Sequence, residues 1–317
     1  MSAPSATIPR AILKSPRKIT DSKVQPCQSC PETVPGQLFH SDEKNKNAWQ
    51  TEKWKEKTTQ HKKHLIIIHE TGKVNSKKVM RMRETSYVIP GVPGKLALLA
   101  DFHNRPDSTI LPSLHAHAPS LICIAGDVVY GRDPLKTQEH VLAFLWDCAS
   151  IAPTFLSLGN HEQSLTTREI REIKRTGAVV LDNTWREMDG IVIGGLTSAY
   201  VTDRRRGKED RVPETKWLKK FAAVPGFHIL LSHHPEYYSF IPDAVDLILC
   251  GHAHGGQIRL FNHGLFAPGQ GWFPKYTKGI YDDRMIVSAG LTNTAHGVPR
   301  LFNPTEVVFI DGKQKLS

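Results

Sequence analysis

The sequence predicts an α/β fold built around a largely parallel sheet. Three observations predict it. Short apolar runs recur along the chain, each ends in a polar turn, and stretches of helical composition separate several of them. Runs without polar alternation are what strands buried on both faces of a sheet look like.

The elements follow in chain order. His64-Leu-Ile-Ile-Ile-His69 is rich in β-branched residues and predicts a strand. Val79 to Ile89 alternates as a second strand, which Pro90-Gly91 ends. Leu96–Ala100 then runs into Asp101, Leu121–Ala125 into Gly126-Asp127, and Thr154–Leu158 into Gly159-Asn160-His161. Further on, Ile229–Leu231 runs into Ser232-His233, and Leu247–Cys250 into Gly251-His252. Helices are predicted over 134–149, 166–176 and 213–223, and strands over 257–261, 285–288 and 306–310.

Residues 1–63 differ from the rest. Only 17 of these 63 are hydrophobic and prolines recur through the first half, which predicts a basic, disordered tail before a single domain over 64–317. The net charge of +10 belongs to this end of the chain: residues 1–100 hold 18 Lys/Arg against 8 Asp/Glu, whereas 101–317 hold 23 of each. A basic excess raises the question of nucleic acid or anionic membranes, and here it raises it for the tail. No apolar run approaches the roughly 20 residues that span a bilayer, and the N-terminus lacks the apolar core of a secretory leader. A soluble, cytoplasmic protein is expected, peripheral at a membrane where the tail meets an anionic surface. Five cysteines are too few and too scattered for a disulfide scaffold; Cys123 and Cys250 read as core thiols.

The five strand ends, taken together, carry chemistry. They supply Asp101-Phe-His103, Gly126-Asp127, Gly159-Asn160-His161-Glu162, His233-His234 and Gly251-His252-Ala-His254. Ligands bind beyond the carboxyl ends of parallel strands. Imidazole nitrogens with carboxylate oxygens suit Zn, Fe or Mn, and a carboxylate on a central strand, best met by Asp127, is able to bridge two cations. Each short motif alone is weak; the ordered set after successive predicted strands is strong.

That ordered set resembles the calcineurin-like metallophosphoesterases, whose signature is D-x-H, G-D, G-N-H-[ED], a lone His and G-H-x-H. The text Gly251-His-Ala-His-Gly-Gly-Gln-Ile-Arg259, followed by Phe266-Ala-Pro-Gly-Gln-Gly, is similar to the branch with G-H-x-H-G-G-Q that includes YkuE-like and YaeI-like phosphodiesterases. The resemblance covers roughly 85–317. It implies a four-layer α/β/β/α sandwich of the metallo-dependent phosphatase type and two divalent metal ions. By motif position, Asp101, His103, Asp127 and His254 would hold the first ion, and Asp127, Asn160, His233 and His252 the second. His161 would be the catalytic histidine. The implied reaction is hydrolysis of a phosphodiester or phosphomonoester by a metal-bridging hydroxide, on a substrate that is nucleotide- or lipid-linked in some relatives. One departure is Ser288-Ala289-Gly290-Leu291, with Ala where the branch often has Arg.

Other residues are read more plainly. His234 is expected to pack against a neighbour, and His115 and His117 to lie on a helix surface. Glu162 is a candidate for orienting the site, and Arg259 a candidate contact for the substrate anion. Arg204-Arg-Arg-Gly-Lys208 reads as a solvated basic loop, and Cys27-Gln-Ser-Cys30 as two thiols in the tail. Two other functional readings stay open at this point. One is a metal-dependent scaffold or binding protein of low turnover; the other is a nuclease that its basic tail tethers to nucleic acid.

Overall fold

The computed structural model describes residues 82–131, 135, 138–199, 212–261, 263–292 and 298–312. The expected tail over 1–63 with Cys27 and Cys30, the expected strand His64–His69 and the loop Arg204–Lys208 lie outside the described residues.

Two six-stranded sheets form the body. The first contains β1 (Arg83–Val88), β2 (Lys95–Leu99), β3 (Leu121–Ile124), β4 (Thr154–Ser157), β5 (Val179–Leu181) and the last strand of the chain, Glu306–Asp311. Strands β2 to β5 are parallel neighbours, the last strand lies antiparallel beside β2, and β1 is its outer partner. The second sheet contains β6 (Thr184–Met188), β7 (Ile191–Leu196), β8 (Phe227–Ser232), β9 (Leu247–Cys250) and, after several short hairpins, the strands Gly279–Tyr281 and Met285–Val287. Its inner members β7, β8, β9 and Met285–Val287 are parallel, with antiparallel strands at both edges.

Three apolar clusters define the layers. The middle one joins Leu96, Leu98 and Cys123 of the first sheet to Ile193, Leu231 and Leu249 of the second. A second cluster packs the other face of the first sheet against helices α1 (Ile110–His117), α2 (Glu139–Ile151) and α3 (Thr167–Arg175). A third packs the second sheet against the short helix α4 (Leu218–Phe221) and the 3₁₀ turn Pro235–Phe240. The order is thus helix, sheet, sheet, helix. Strands β3, β4 and β9 are buried along their whole length, which explains the unbroken apolar text of β3 and β9.

The helices differ from expectation at their starts. α2 begins at Glu139 rather than 134, because the Leu135 N–H is taken by Glu169 Oε1 at 3.1 Å and the Leu135 carbonyl closes a turn on Gln138. α3 begins where expected: Thr166 and Glu169 form a reciprocal capping box, with Thr166 N donating to Glu169 Oε2 at 2.8 Å. The helix expected over 213–223 contracts to α4, since Glu214 Oε1 accepts from Lys216 N and holds the preceding residues in a turn. The strand expected over 257–261 is reduced to Arg259–Leu260, now β10, which pairs with β11 (His263–Gly264). A second hairpin follows, β12 (Phe266–Ala267) with β13 (Gly271–Trp272). The two strands already placed in the second sheet become β14 (Gly279–Tyr281) and β15 (Met285–Val287), and the last strand becomes β16.

Candidate metal centre

Parallel pairing puts the carboxyl ends of β2, β3 and β4 at one edge of the first sheet, and those of β8 and β9 at one edge of the second. The turns that leave these ends are laced together. Asp101 N donates to the Gly126 carbonyl at 3.2 Å, His103 N to the Asp127 carbonyl at 3.0 Å, and Gly251 N to the His233 carbonyl at 3.1 Å. The turn after β9 reaches across to the first sheet, where Asp101 Oδ1 and Oδ2 each accept from His252 N at 3.1 Å.

The result is a cluster of buried histidines around two carboxylates. Asp101, His103 and His254 place one ligand atom each within 4.8 Å of one another, as do Asp101, Asp127 and His233, and also His103, Asp127 and His161. Asp127 Oδ2 lies 3.1 Å from His233 Nε2, 3.8 Å from His103 Nε2 and 3.9 Å from His161 Nε2. His254 Nε2 is 3.8 Å from Asp101 Oδ1, and the His252 ring stands 5.0 Å from that of His233. Asn160 sits between Gly159 and His161, and His161 N donates to Asp127 Oδ1 at 3.0 Å. Gly159 passes so close to this carboxylate that an added Cβ would lie 2.3 Å from Asp127 Oδ1. The backbone is strained at the site: Asp101, His103, Asp127, His252 and His254 all have positive φ, between 41° and 65°.

Two ring orientations are set by backbone groups. His233 Nδ1 donates to the Ala125 carbonyl at 2.7 Å, which turns Nε2 toward Asp127. His161 Nδ1 accepts from Gly131 N at 3.0 Å, so in the neutral ring the proton rides on Nε2, the atom that faces Asp127. The His161 side chain is 12% exposed, against 2% for that of His103 and none for that of His233.

Burial and charge divide the titrating groups. Burial pushes the Asp101 carboxyl up to about 7, although His233 opposes it. Burial also acts to raise Asp127, yet the histidines His233, His161 and His103 hold it well below the usual carboxylate range. His233 is desolvated, but Asp127 and Asp101 outweigh this and push it up to about 10. Burial lowers His103 to about 4, and holds His252 and His254 well below the usual imidazole range.

Several neighbours complete the site. Glu162, buried, accepts from Asp127 N and Gly159 N at 2.8 Å through Oε2 and from Val129 N at 3.1 Å through Oε1. It fixes the β3 and β4 turns to each other, and burial raises its pKa to about 7. His234 packs as expected, with Nε2 2.7 Å from Ser198 Oγ and its ring 4.0 Å from that of His252. Arg259 is half-buried and donates to the Gly255 carbonyl at 2.7 Å and to Thr277 Oγ1 at 3.2 Å, which ties it to the turn that carries His254. His115 is exposed, whereas His117 is half-buried and stacks on Phe309 at 3.7 Å. At the departure Ala289, the backbone N–H donates to Glu306 Oε1 at 2.8 Å. A buried arginine reaches this turn all the same, from position 300, with Nη1 on the Thr292 carbonyl at 2.8 Å and Nη2 on that of Pro304 at 2.9 Å. The sequence did not single out Tyr130, whose ring stacks on His161 at 5.0 Å, or Arg300. A tyrosine three residues beyond Asp127 was the only available signal for the first.

The residues fit divalent cations. The donor set mixes imidazole nitrogen with carboxylate oxygen, and Asn160 Oδ1 is a buried amide oxygen with no hydrogen-bond partner among the described residues, as a ligand oxygen would be.

Known proteins fit the same reading. An uncharacterized metallophosphoesterase of Campylobacter jejuni is 27% identical over 257 residues, which take in 76% of this chain and 65% of that protein. The chain therefore matches just under two thirds of that relative's length. The phosphodiesterase YaeI of Escherichia coli is 29% identical over 197 residues, 58% of this chain and 68% of that protein. A solved 5′-nucleotidase precursor from Thermus thermophilus shares 18% identity over 50% of this chain and 41% of its own, with a TM-score of 0.38, a loose resemblance in shape. The family profile described as calcineurin-like phosphoesterase matches residues 94–256, from the start of β2 through the turn at His254. With just over half of its length inside that match, the chain belongs to the calcineurin-like phosphoesterase family.

Proposed function

We propose that the chain is a binuclear metallophosphoesterase that hydrolyses a phosphodiester or phosphomonoester. The observation that carries this reading is the placement of Asp127 between two groups of buried ligand atoms, with His161 Nε2 facing the same carboxylate. Asp101, His103, Asp127 and His254 would hold one cation, and Asp127, Asn160, His233 and His252 the other. Two divalent cations held there supply Lewis acidity toward the phosphoryl group and an activated nucleophile near neutral pH. The similarity to a phosphodiesterase from Escherichia coli supports an ester substrate.

The chain's own residues do the rest. Glu162 and the laced turns fix the ligands before substrate arrives, so little ordering remains to be done at the moment of reaction. His161 presents an Nε2–H donor from the more open side of the cluster and hydrogen-bonds the phosphoryl or leaving oxygen. Among the described residues, no helix is long and apolar enough to cross a membrane.

The test is turnover of a chromogenic aryl phosphodiester by Mn²⁺-loaded protein, before and after chelation, with Asp127→Asn alongside. Chelation is expected to abolish turnover, and Asp127→Asn to lose metal and activity together. Full turnover after complete chelation would sink the reading. A protein that binds metal tightly but turns over neither monoesters nor diesters would point to the scaffold alternative.

A further inference from the structure

One histidine of the proposed ligand set is turned differently from the others. His103 and His233 present Nε2 to Asp127, at 3.8 and 3.1 Å, and His254 presents Nε2 to Asp101 at 3.8 Å. His252 presents its Nε2 to Glu236, whose Oε1 is 3.9 Å away. The two nitrogens of an imidazole ring point in different directions, and the one not committed to the metal is oriented by its own partner. A ring whose Nε2 faces Glu236 has Nδ1 left for a cation.

Glu236 is held in its place. It lies in the 3₁₀ turn Pro235–Phe240, between the buried residues Pro235 and Tyr237. Tyr237 Oη accepts from Ala199 N at 3.1 Å, and Arg284 Nε donates to Tyr238 Oη at 3.0 Å. The β12–β13 hairpin is tied to this turn: the Tyr276 ring meets that of Tyr238 edge-on at 6.1 Å, and Tyr276 N donates to Gln270 Oε1 at 2.8 Å. Gly269 of that hairpin has φ 77°, and an added Cβ would fall 2.3 Å from Glu236 Oε1 and 2.9 Å from His252 Nε2. Such a Cβ would wedge the two side chains apart, and glycine leaves the space between them open. Glu236 Oε2 is buried with no hydrogen-bond partner among the described residues. A buried polar atom in that state calls for a reason.

We propose that Glu236 is a positioning residue, whose carboxyl group accepts a hydrogen bond from His252 Nε2–H and so aims Nδ1 at the second cation. The Glu236 side chain is 27% exposed, which leaves the carboxyl group room to turn and close the present gap to the roughly 2.9 Å of a hydrogen bond. Burial raises its pKa to about 7, and either form of the carboxyl group offers Nε2–H an acceptor oxygen. An acceptor in this place fixes the tautomer of a ligand histidine and makes the ring a stronger donor to the metal. His233 has the Ala125 carbonyl for the same task, at 2.7 Å on Nδ1, and therefore offers the opposite nitrogen. The inference rests on the two-cation reading and adds that Glu236 acts on one of the two cations.

The experiment loads the full chain, labelled with [¹⁵N]histidine, with Zn²⁺. Long-range ¹H–¹⁵N NMR then reads which nitrogen of each ring carries metal and which a proton, with His252 assigned by the signals lost in His252→Gln. Zinc affinity is measured by chelator competition. Wild type is expected to show His252 with zinc on Nδ1 and the proton on Nε2. Glu236→Ala is expected to weaken one of two zinc sites about 10–100-fold, and Glu236→Gln, whose amide oxygen still accepts from Nε2–H, to stay within about threefold of wild type. Zinc on His252 Nε2 in wild type would overturn the proposal, as would a Glu236→Ala variant that holds both ions as tightly as wild type. A loss in Glu236→Gln as large as in Glu236→Ala would overturn it too, by making Glu236 itself a ligand. Should the variants misfold, the wild-type ring spectrum decides alone. A wild type that takes up no zinc, manganese or iron removes the two-cation reading and this inference with it; metal bound with the wrong nitrogen of His252 removes this inference only.

Discussion

Asp101, His103, Asp127, His252 and His254 share a left-handed backbone, and all five belong to the proposed ligand set. Side chains in that conformation are displaced from where an extended strand would aim them, and the surrounding hydrogen bonds must hold them there. Glu162 is the chief holder. Glu162→Ala leaves three N–H groups at Asp127, Gly159 and Val129 without their acceptor. It is expected to cost at least about 2–4 kcal/mol, read as a lower denaturant midpoint, and to lower metal affinity with it. His161 calls for the opposite pattern. His161→Ala is expected to lose about 10²–10⁴ in turnover while metal content by elemental analysis stays at the wild-type value. Full turnover of an aryl diester by His161→Ala would remove His161 from the mechanism.

At the scale of elements, legibility followed burial. β3 and β9 were plain in the sequence because both faces are covered and every residue is apolar; β4 is buried as fully, with Phe155 and Leu156 between Thr154 and Ser157. β5 escaped notice at three residues, β6 is an edge strand with exposed polar positions, and Gly194-Gly195 interrupts the apolar text of β7. The two-residue ladders of β10 to β13 leave no periodicity to read. The proposed site residues stand out in the sequence for a related reason, since each lies within four residues of the end of a buried strand. Apart from Glu162, named from the sequence as an orienting candidate, their partners do not: the Gly131 N–H on His161 and the Arg300 side chain depend on which loops meet in space, as do the N–H groups that Glu162 accepts. The same burial yields a prediction about thiols. Cys123 in β3, Cys250 in β9 and Cys148 in α2 are buried, and burial pushes each above the ordinary thiol value of 9.0. A folded pKa above the unfolded one gives stability that is complete below the unfolded value and is lost as pH rises past it. Stability is therefore expected to fall as pH rises through about 9, and to fall less in a triple Cys→Ala variant after correction for its cavities. Alkylation at these three positions, mapped by mass spectrometry, should track global unfolding rather than reagent concentration.

At the scale of the whole molecule, the proposed site exists only where two sheets meet. Asp101, His103, Asp127 and Asn160 follow strands of the first sheet, while His233, His252 and His254 follow strands of the second. Each proposed cation draws on both sheets, so any slip between the sheets by one strand residue, about 3.3 Å, would dismantle both sets together. The middle apolar cluster, which gathers Leu98 and Cys123 of the first sheet with Leu231 and Leu249 of the second, is what sets that alignment.

The path of the chain gives this alignment a practical use. The polypeptide enters the second sheet once, between Leu181 and Thr184, and returns to the first only at Glu306. A break between Asp182 and Asn183 thus yields two pieces, neither of which holds a full ligand set for either cation. Fused to a pair of interacting proteins, such pieces are expected to be silent apart and to regain diesterase turnover together. The architecture would then serve as a two-part reporter, in which the catalytic signal registers molecular proximity. Activity from either piece alone would show that the ligands do not divide between the sheets as proposed.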